Sequence, residues 1–178
     1  MADASPRAKA RIAAGFYVLT FAGGIFALVV RTRLGMAAGL VAGACYVVVT
    51  VLFYGLFKPV SRSLSLLAAF VGVAGIIAGP LGLTGINPLV FFGLYCLLIG
   101  YLIVRSTFLP SVLGVLMMLA GLGWLTFGSE KLAHSLYPYN LGPGILGEGA
   151  LTVWLLVKGV DVQRWLEEAG AASPPAAT

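Results

Sequence analysis

Six apolar runs, at about residues 12–30, 34–57, 64–86, 88–104, 109–127 and 141–160, limit this chain more than any motif in it. An α-helix rises ~1.5 Å per residue, so roughly 20 apolar residues cross the ~30 Å hydrocarbon core of a bilayer. Short polar connections, most of them carrying Lys or Arg, separate the runs. The expectation is an all-α integral membrane protein, a six-transmembrane-helix bundle. A cytoplasmic tail is expected over residues 1–10, the transmembrane domain over 11–160, and a second cytoplasmic tail over 161–178, amphipathic at first and then disordered.

Composition agrees. Hydrophobic residues make up 60% and charged residues 10% of the 178 positions, against roughly 25% charged in a soluble domain. Little length remains for a soluble catalytic domain. The run after the basic start, MADASPRAKAR, is too long and Gly-rich for a signal-peptide core and lacks an A-x-A-like cleavage site, so it reads as a retained membrane helix.

Six crossings put both termini on one side. Arg7, Lys9, Arg11, Lys58, Arg62, Arg105, Lys158 and Arg164 then share a face, while Arg31, Arg33 and Lys131 lie opposite. The positive-inside rule makes the richer face cytoplasmic, an N-in/C-in arrangement. The same bias accounts for the net charge of +5 without nucleic acid, and Arg31 and Arg33 read as headgroup anchors. The partner this composition implies is the lipid bilayer, in the bacterial cytoplasmic membrane. No dinucleotide fingerprint, P-loop, HExxH or Cys/His metal spacing occurs, so no cofactor or metal site is expected. Cys45 and Cys96 lie in apolar runs and read as small buried residues.

Small residues mark packing faces. Thr20, Gly24 and Ala27 share one face of the first run. In the second, Gly35, Gly39 and Gly43 stand four apart and lead into Tyr46, Thr50 and Tyr54. Such stripes let helices approach closely, within one chain or between copies, so a homo-oligomer through Gly35, Gly39 and Gly43 is one expectation. Hydroxyls beyond them serve as interhelical glue or as a ligand wall. In the third run, with Gly72, Gly75, Gly79 and Gly82, Pro80 predicts a kink or an early end near Gly79. Pro110 suits the first turn of the fifth helix, and DVQRWLEE suits an interfacial helix with Trp165 in the headgroup zone.

The sixth run carries an acid, Glu148. A carboxylate at bilayer depth is costly and normally faces a partner or a cavity. Entering at Leu141, the helix brings Glu148 about 10 Å below the outer surface, and Tyr95 on the fourth run reaches a similar level. Gly144, Glu148 and Thr152 stand four apart, with Gly147 and Gly149 beside the acid, leaving room for a close helix or for a small ligand. Asn87 and Trp124 could border the same chamber, and the 128–140 loop, with His134, could close it. One reading makes Glu148 a buried acid, hydrogen-bonded to Tyr95 or to a neighbouring hydroxyl, that holds helices in register. The other makes Glu148, Tyr95, Trp124, Asn87 and Thr152 a ligand site. A lone loop histidine cannot build a metal site, and His134 reads as solvent-exposed or loop-packing.

Several stretches resemble a family of small bacterial multipass membrane proteins catalogued as domain of unknown function 4386. They are FFGLYCLLIGYLIVRSTFLPSVLGVLMMLAGLGWLTF from Phe91, YPYNLGPGILGEGALTVWLLVKGVDVQRW from Tyr137 and, more weakly, RIAAGFY from Arg11. The joined pattern of Arg105-Ser106, Leu109-Pro110, Leu113-Gly114, Gly147-Glu148 and Trp154-Leu155-Leu156 before Gly159 carries the likeness. The resemblance implies a six-helix bundle with Glu148 as the acid of the last helix, and it implies no activity. Relatives of this type often carry histidine where this chain has Tyr95, which weakens a proton-relay or metal reading here. A hydrogen bond to Glu148 survives the exchange, because a phenol also donates.

Three functions follow. The leading expectation is a non-enzymatic protein that binds or moves a small hydrophobic or amphipathic molecule in an outward-facing chamber at Glu148. The second is a membrane enzyme on lipid or isoprenoid substrates, with Glu148 as general acid and Tyr95 or His134 assisting. The third is an assembly subunit of a membrane complex.

Overall fold

The computed structural model describes residues 5–81 and 85–172, all of whose regular structure is helical. The long helices are α1 (Pro6–Val29), α2 (Arg33–Phe57), α3 (Arg62–Leu81), α4 (Pro88–Arg105), α5 (Ser111–Leu125) and α7 (Leu141–Val157). Short helices α6 (Glu130–Leu136) and α8 (Val162–Ala171) flank α7. Among the described residues, five helices are long and apolar enough to cross a membrane, or six when α6 and α7, which meet at 79°, count as one bent span.

Local chemistry sets the helix starts. Ser5 accepts from the Ala8 amide at 3.2 Å, with Pro6 opening α1. Asn87 accepts from the Leu89 amide at 3.0 Å, with Pro88 opening α4. Both pair a capping side chain with a proline whose missing N–H costs nothing there. The expected 1–10 tail is thus helical from Pro6, and Ala10 is fully buried. Helix α3 continues through Gly79 and Pro80 to Leu81; Gly82 and the expected disordered end of the chain, 173–178, lie outside the described residues. Pro110 precedes α5 as its N-cap residue instead of entering its first turn.

Consecutive helices pack side by side, α1 on α2, α2 on α3, α3 on α4, α4 on α5, α5 on α7, and α7 returns to α1. The six therefore close a ring. Its interior is a column of aromatic side chains. Centroids lie 5.6 Å apart for Trp124 and Phe92, 5.3 Å for Phe92 and Tyr46, 6.0 Å for Tyr46 and Tyr17, and 6.2 Å for Tyr17 and Phe53. Outside, Leu28, Val29, Met36, Phe70, Leu146 and Val153 are exposed, as a lipid-facing surface requires.

Helices α4 and α5 cross with backbone against backbone. A Cβ on Gly93 would lie 2.8 Å from the Gly121 carbonyl oxygen, and one on Gly100 2.6 Å from that of Gly114. The expected stripe on α2 meets neighbours within the chain: Gly39 faces Ala27 of α1, Gly43 faces Ile76 of α3, and Gly35 faces the Val30 carbonyl in the α1–α2 turn.

One end of the ring gathers the start of α1, the α2–α3 and α4–α5 turns, and α8. There the Trp165 indole donates to the Leu56 carbonyl at 2.8 Å and the Thr107 hydroxyl to Glu168 at 3.0 Å. Trp165 is thus half-buried against the bundle end.

Candidate functional site

Glu148 sits at the middle of α7 and is 2% exposed. Its Oε1 accepts from the Trp124 indole of α5 at 2.7 Å, and its Oε2 from the Tyr17 phenol of α1 at 3.2 Å. The two donors come from the helices that flank α7 in the ring, so the acid ties three neighbours together. Depth explains the second bond. Tyr17 lies about 16 Å along α1 from its start and Glu148 about 14 Å from the end of α7, and those two ends share one face of the bundle.

The small residues around Glu148 admit helices. A Cβ on Gly144 would lie 2.5–2.6 Å from the Trp124 ring, and one on Gly147 would run into the Leu116 carbonyl of α5. Gly149 meets nothing within 4 Å. Of the chamber expected between Gly147, Gly149, Tyr95 and Trp124, the Gly147 side is therefore filled by α5 itself, while Gly149 faces open space.

Two other expectations also change. Tyr95 is fully buried but makes no hydrogen bond to Glu148, because α5 separates α4 from α7 around the ring. Asn87 is exposed, and its side chain caps α4. Thr152 is buried beside the acid, where its hydroxyl donates to the Glu148 carbonyl oxygen at 2.7 Å. His134 is exposed on α6. Cys45 and Cys96 are buried free thiols.

Three residues enter the polar interior that the Glu148 grouping left out: Tyr17, Tyr46 and Thr50. Tyr17 ends the RIAAGFY stretch of the family resemblance, which was the available signal. Tyr46 and Tyr95 have ring centroids 5.5 Å apart, and Thr50 packs with Tyr95 over Gly72. Thr50 donates to the Tyr46 carbonyl at 2.9 Å. Thr50 and Tyr46 come up to the Tyr95 hydroxyl, yet the buried Tyr46 and Tyr95 hydroxyls have no partner in hydrogen-bonding geometry. In a low-dielectric interior an unpaired hydroxyl costs about 1–3 kcal/mol. The interior thus holds a satisfied half, at Glu148, and an unsatisfied half, at the two phenols.

Comparison with known proteins gives the chain a context. An uncharacterized protein of Archaeoglobus fulgidus is 29% identical over 125 residues, which cover 64% of this chain and 76% of that protein. No solved structure matches the chain. Residues 84–159, ending at the glycine after α7, match the family described as Domain of unknown function (DUF4386), bearing out the resemblance carried by Arg105-Ser106, Gly147-Glu148 and Gly159.

Proposed function

We propose that this is a multipass protein of the bacterial cytoplasmic membrane, both termini cytoplasmic, that binds a small amphipathic molecule within the ring. The Tyr46 and Tyr95 hydroxyls support this reading most directly. Two buried phenol hydroxyls that make no well-aligned hydrogen bond, beside a Glu148 whose oxygens are both paired, suit a ligand that offers a carbonyl, ether or hydroxyl oxygen between them. The surrounding aromatic rings of Phe92, Tyr17 and Phe53 suit its apolar body. Glu148 acts as a fixed wall, held by Trp124 and Tyr17, and entry requires neighbouring helices to part.

Native mass spectrometry of protein extracted with its own lipids tests the proposal. The Tyr46→Phe/Tyr95→Phe variant removes two oxygens and keeps the rings. Expected is a bound mass on the wild type that the variant loses by tenfold or more, while the variant's own thermal stability holds or rises. Equal retention by the two proteins, or no retained molecule on either, rejects the reading.

A further inference from the structure

We infer that the groove where α1, the α4–α5 turn, α7 and α8 meet holds the phosphate of an anionic phospholipid. The groove is an open one of about 510 Å³, distinct from the ring interior. Arg7, Lys158 and Arg164 line its polar side with Asp161, and Phe108, Leu109 and Trp154 its apolar side. Three cations against Asp161, with Glu168 held at the rim by Thr107, leave a net positive lining. Asp161 is already engaged, since it caps α8 through the Arg164 amide at 3.2 Å and lies 3.6 Å from the Arg164 guanidinium. Among the described residues, Arg7 and Lys158 have no carboxylate within ion-pairing distance.

The shape favours a lipid over a free anion. The cations stand at the end of the helical ring, where a bilayer's headgroups lie, and the apolar side would meet the first carbons of the acyl chains. Basic pockets between membrane helices recognise phospholipid headgroups in this way. Arg7 also packs against the turn that ends α7: its Cγ would lie 3.0 Å from a Cβ on Gly159. A phosphate between Arg7 and Lys158 would therefore bridge the two helices on which the ring closes.

The test counts phosphatidylglycerol and phosphatidylcholine retained on detergent-solubilised protein by native mass spectrometry. Arg7→Gln/Lys158→Gln is compared with Arg31→Gln/Arg33→Gln, an equal loss of charge at the opposite end of α1. Expected is selective retention of phosphatidylglycerol by the wild type, falling roughly tenfold or more in the first variant and little in the second. Lys158→Gln alone, on an exposed side chain, should give about a fivefold loss without disturbing Arg7 packing. Equal losses in both double variants, or none in either, overturn the inference. So does displacement of phosphatidylglycerol by millimolar inorganic phosphate, which would assign the groove to a soluble anion.

Discussion

Trp124 and Glu148 join α5 to α7 by a 2.7 Å hydrogen bond inside the span, and the indole fills the space that Gly144 leaves one turn before the acid. The bond has no competing water, so its removal exposes the full cost of an under-paired carboxyl group. Trp124→Phe should destabilise the protein by about 1–3 kcal/mol. Glu148→Gln should cost less, because the amide oxygen still accepts from the indole and the amide nitrogen can donate to the Tyr17 oxygen. Thermal unfolding in detergent checks the order. A greater loss for Glu148→Gln would mean that the site depends on the ionisable group itself.

The α4–α5 crossing makes a sharper demand. Gly100 and Gly114 oppose each other, and a Cβ on either would lie within 2.6 Å of the other's carbonyl oxygen. Backbone cannot yield as a side-chain tip can, so Gly100→Ala should cost about 1–3 kcal/mol or force the two helices apart. Gly15, whose Cβ would meet nothing within 4 Å, provides the control. Gly15→Ala should leave unfolding unchanged or stabilise the helix by up to about 1 kcal/mol. Comparable losses in both variants would show that glycine matters here for something other than contact.

These two sites show what the chain made legible. A span is a local property, length times hydropathy, so the apolar runs match the observed helices closely. Burial of Glu148 was legible for a similar reason, because the cost of a carboxylate in hydrocarbon belongs to one residue. Its partners depend on angle around the ring as well as depth. Tyr95 was matched to Glu148 by depth, but α5 stands between their helices, and α1, the first helix, closes onto the last to deliver Tyr17. No spacing within one run carries that closure. The glycine seam was hidden similarly. Gly35, Gly39 and Gly43 advertise themselves on one helix, whereas the α4–α5 seam pairs Gly93 and Gly100 with Gly121 and Gly114, seven apart on two. Asn87 was a local signal read for the wrong role: a side-chain oxygen just before Pro88 is an N-cap pattern.

The placement of charge yields a test of sidedness. Arg31 and Arg33 adjoin the α1–α2 turn and Lys131 lies on α6, while the other eight basic residues belong to the opposite end. With that richer end cytoplasmic, a single cysteine at the exposed Ser135 should react with a membrane-impermeant maleimide on intact cells. One at the exposed Gln163 should react only after lysis. Both cysteines belong in a background with Cys45 and Cys96 replaced by Ala. The reverse pattern would invert the protein, and labelling of both on intact cells would deny that these ends lie on opposite faces.

Gly159 ends α7 with φ +71°, a left-handed conformation that lets its amide reach the Trp154 carbonyl at 3.1 Å. An L side chain there pays the left-handed penalty, and its Cβ also presses on the Arg7 stem 3.0 Å away. Because α8 begins at Val162, just past this turn, the strain falls on its docking. Gly159→Ala should cost about 1–2 kcal/mol and weaken the hold of Trp165 on the Leu56 carbonyl. Trypsin cleavage after Arg164 should accelerate several-fold, and Trp165 fluorescence should shift to the red. Gly170→Ala, on α8 with nothing near its would-be Cβ, should change neither. If Gly159→Ala leaves both signals unchanged, α8 is held independently of the α7 turn, and the groove beside it does not rely on that turn for its shape.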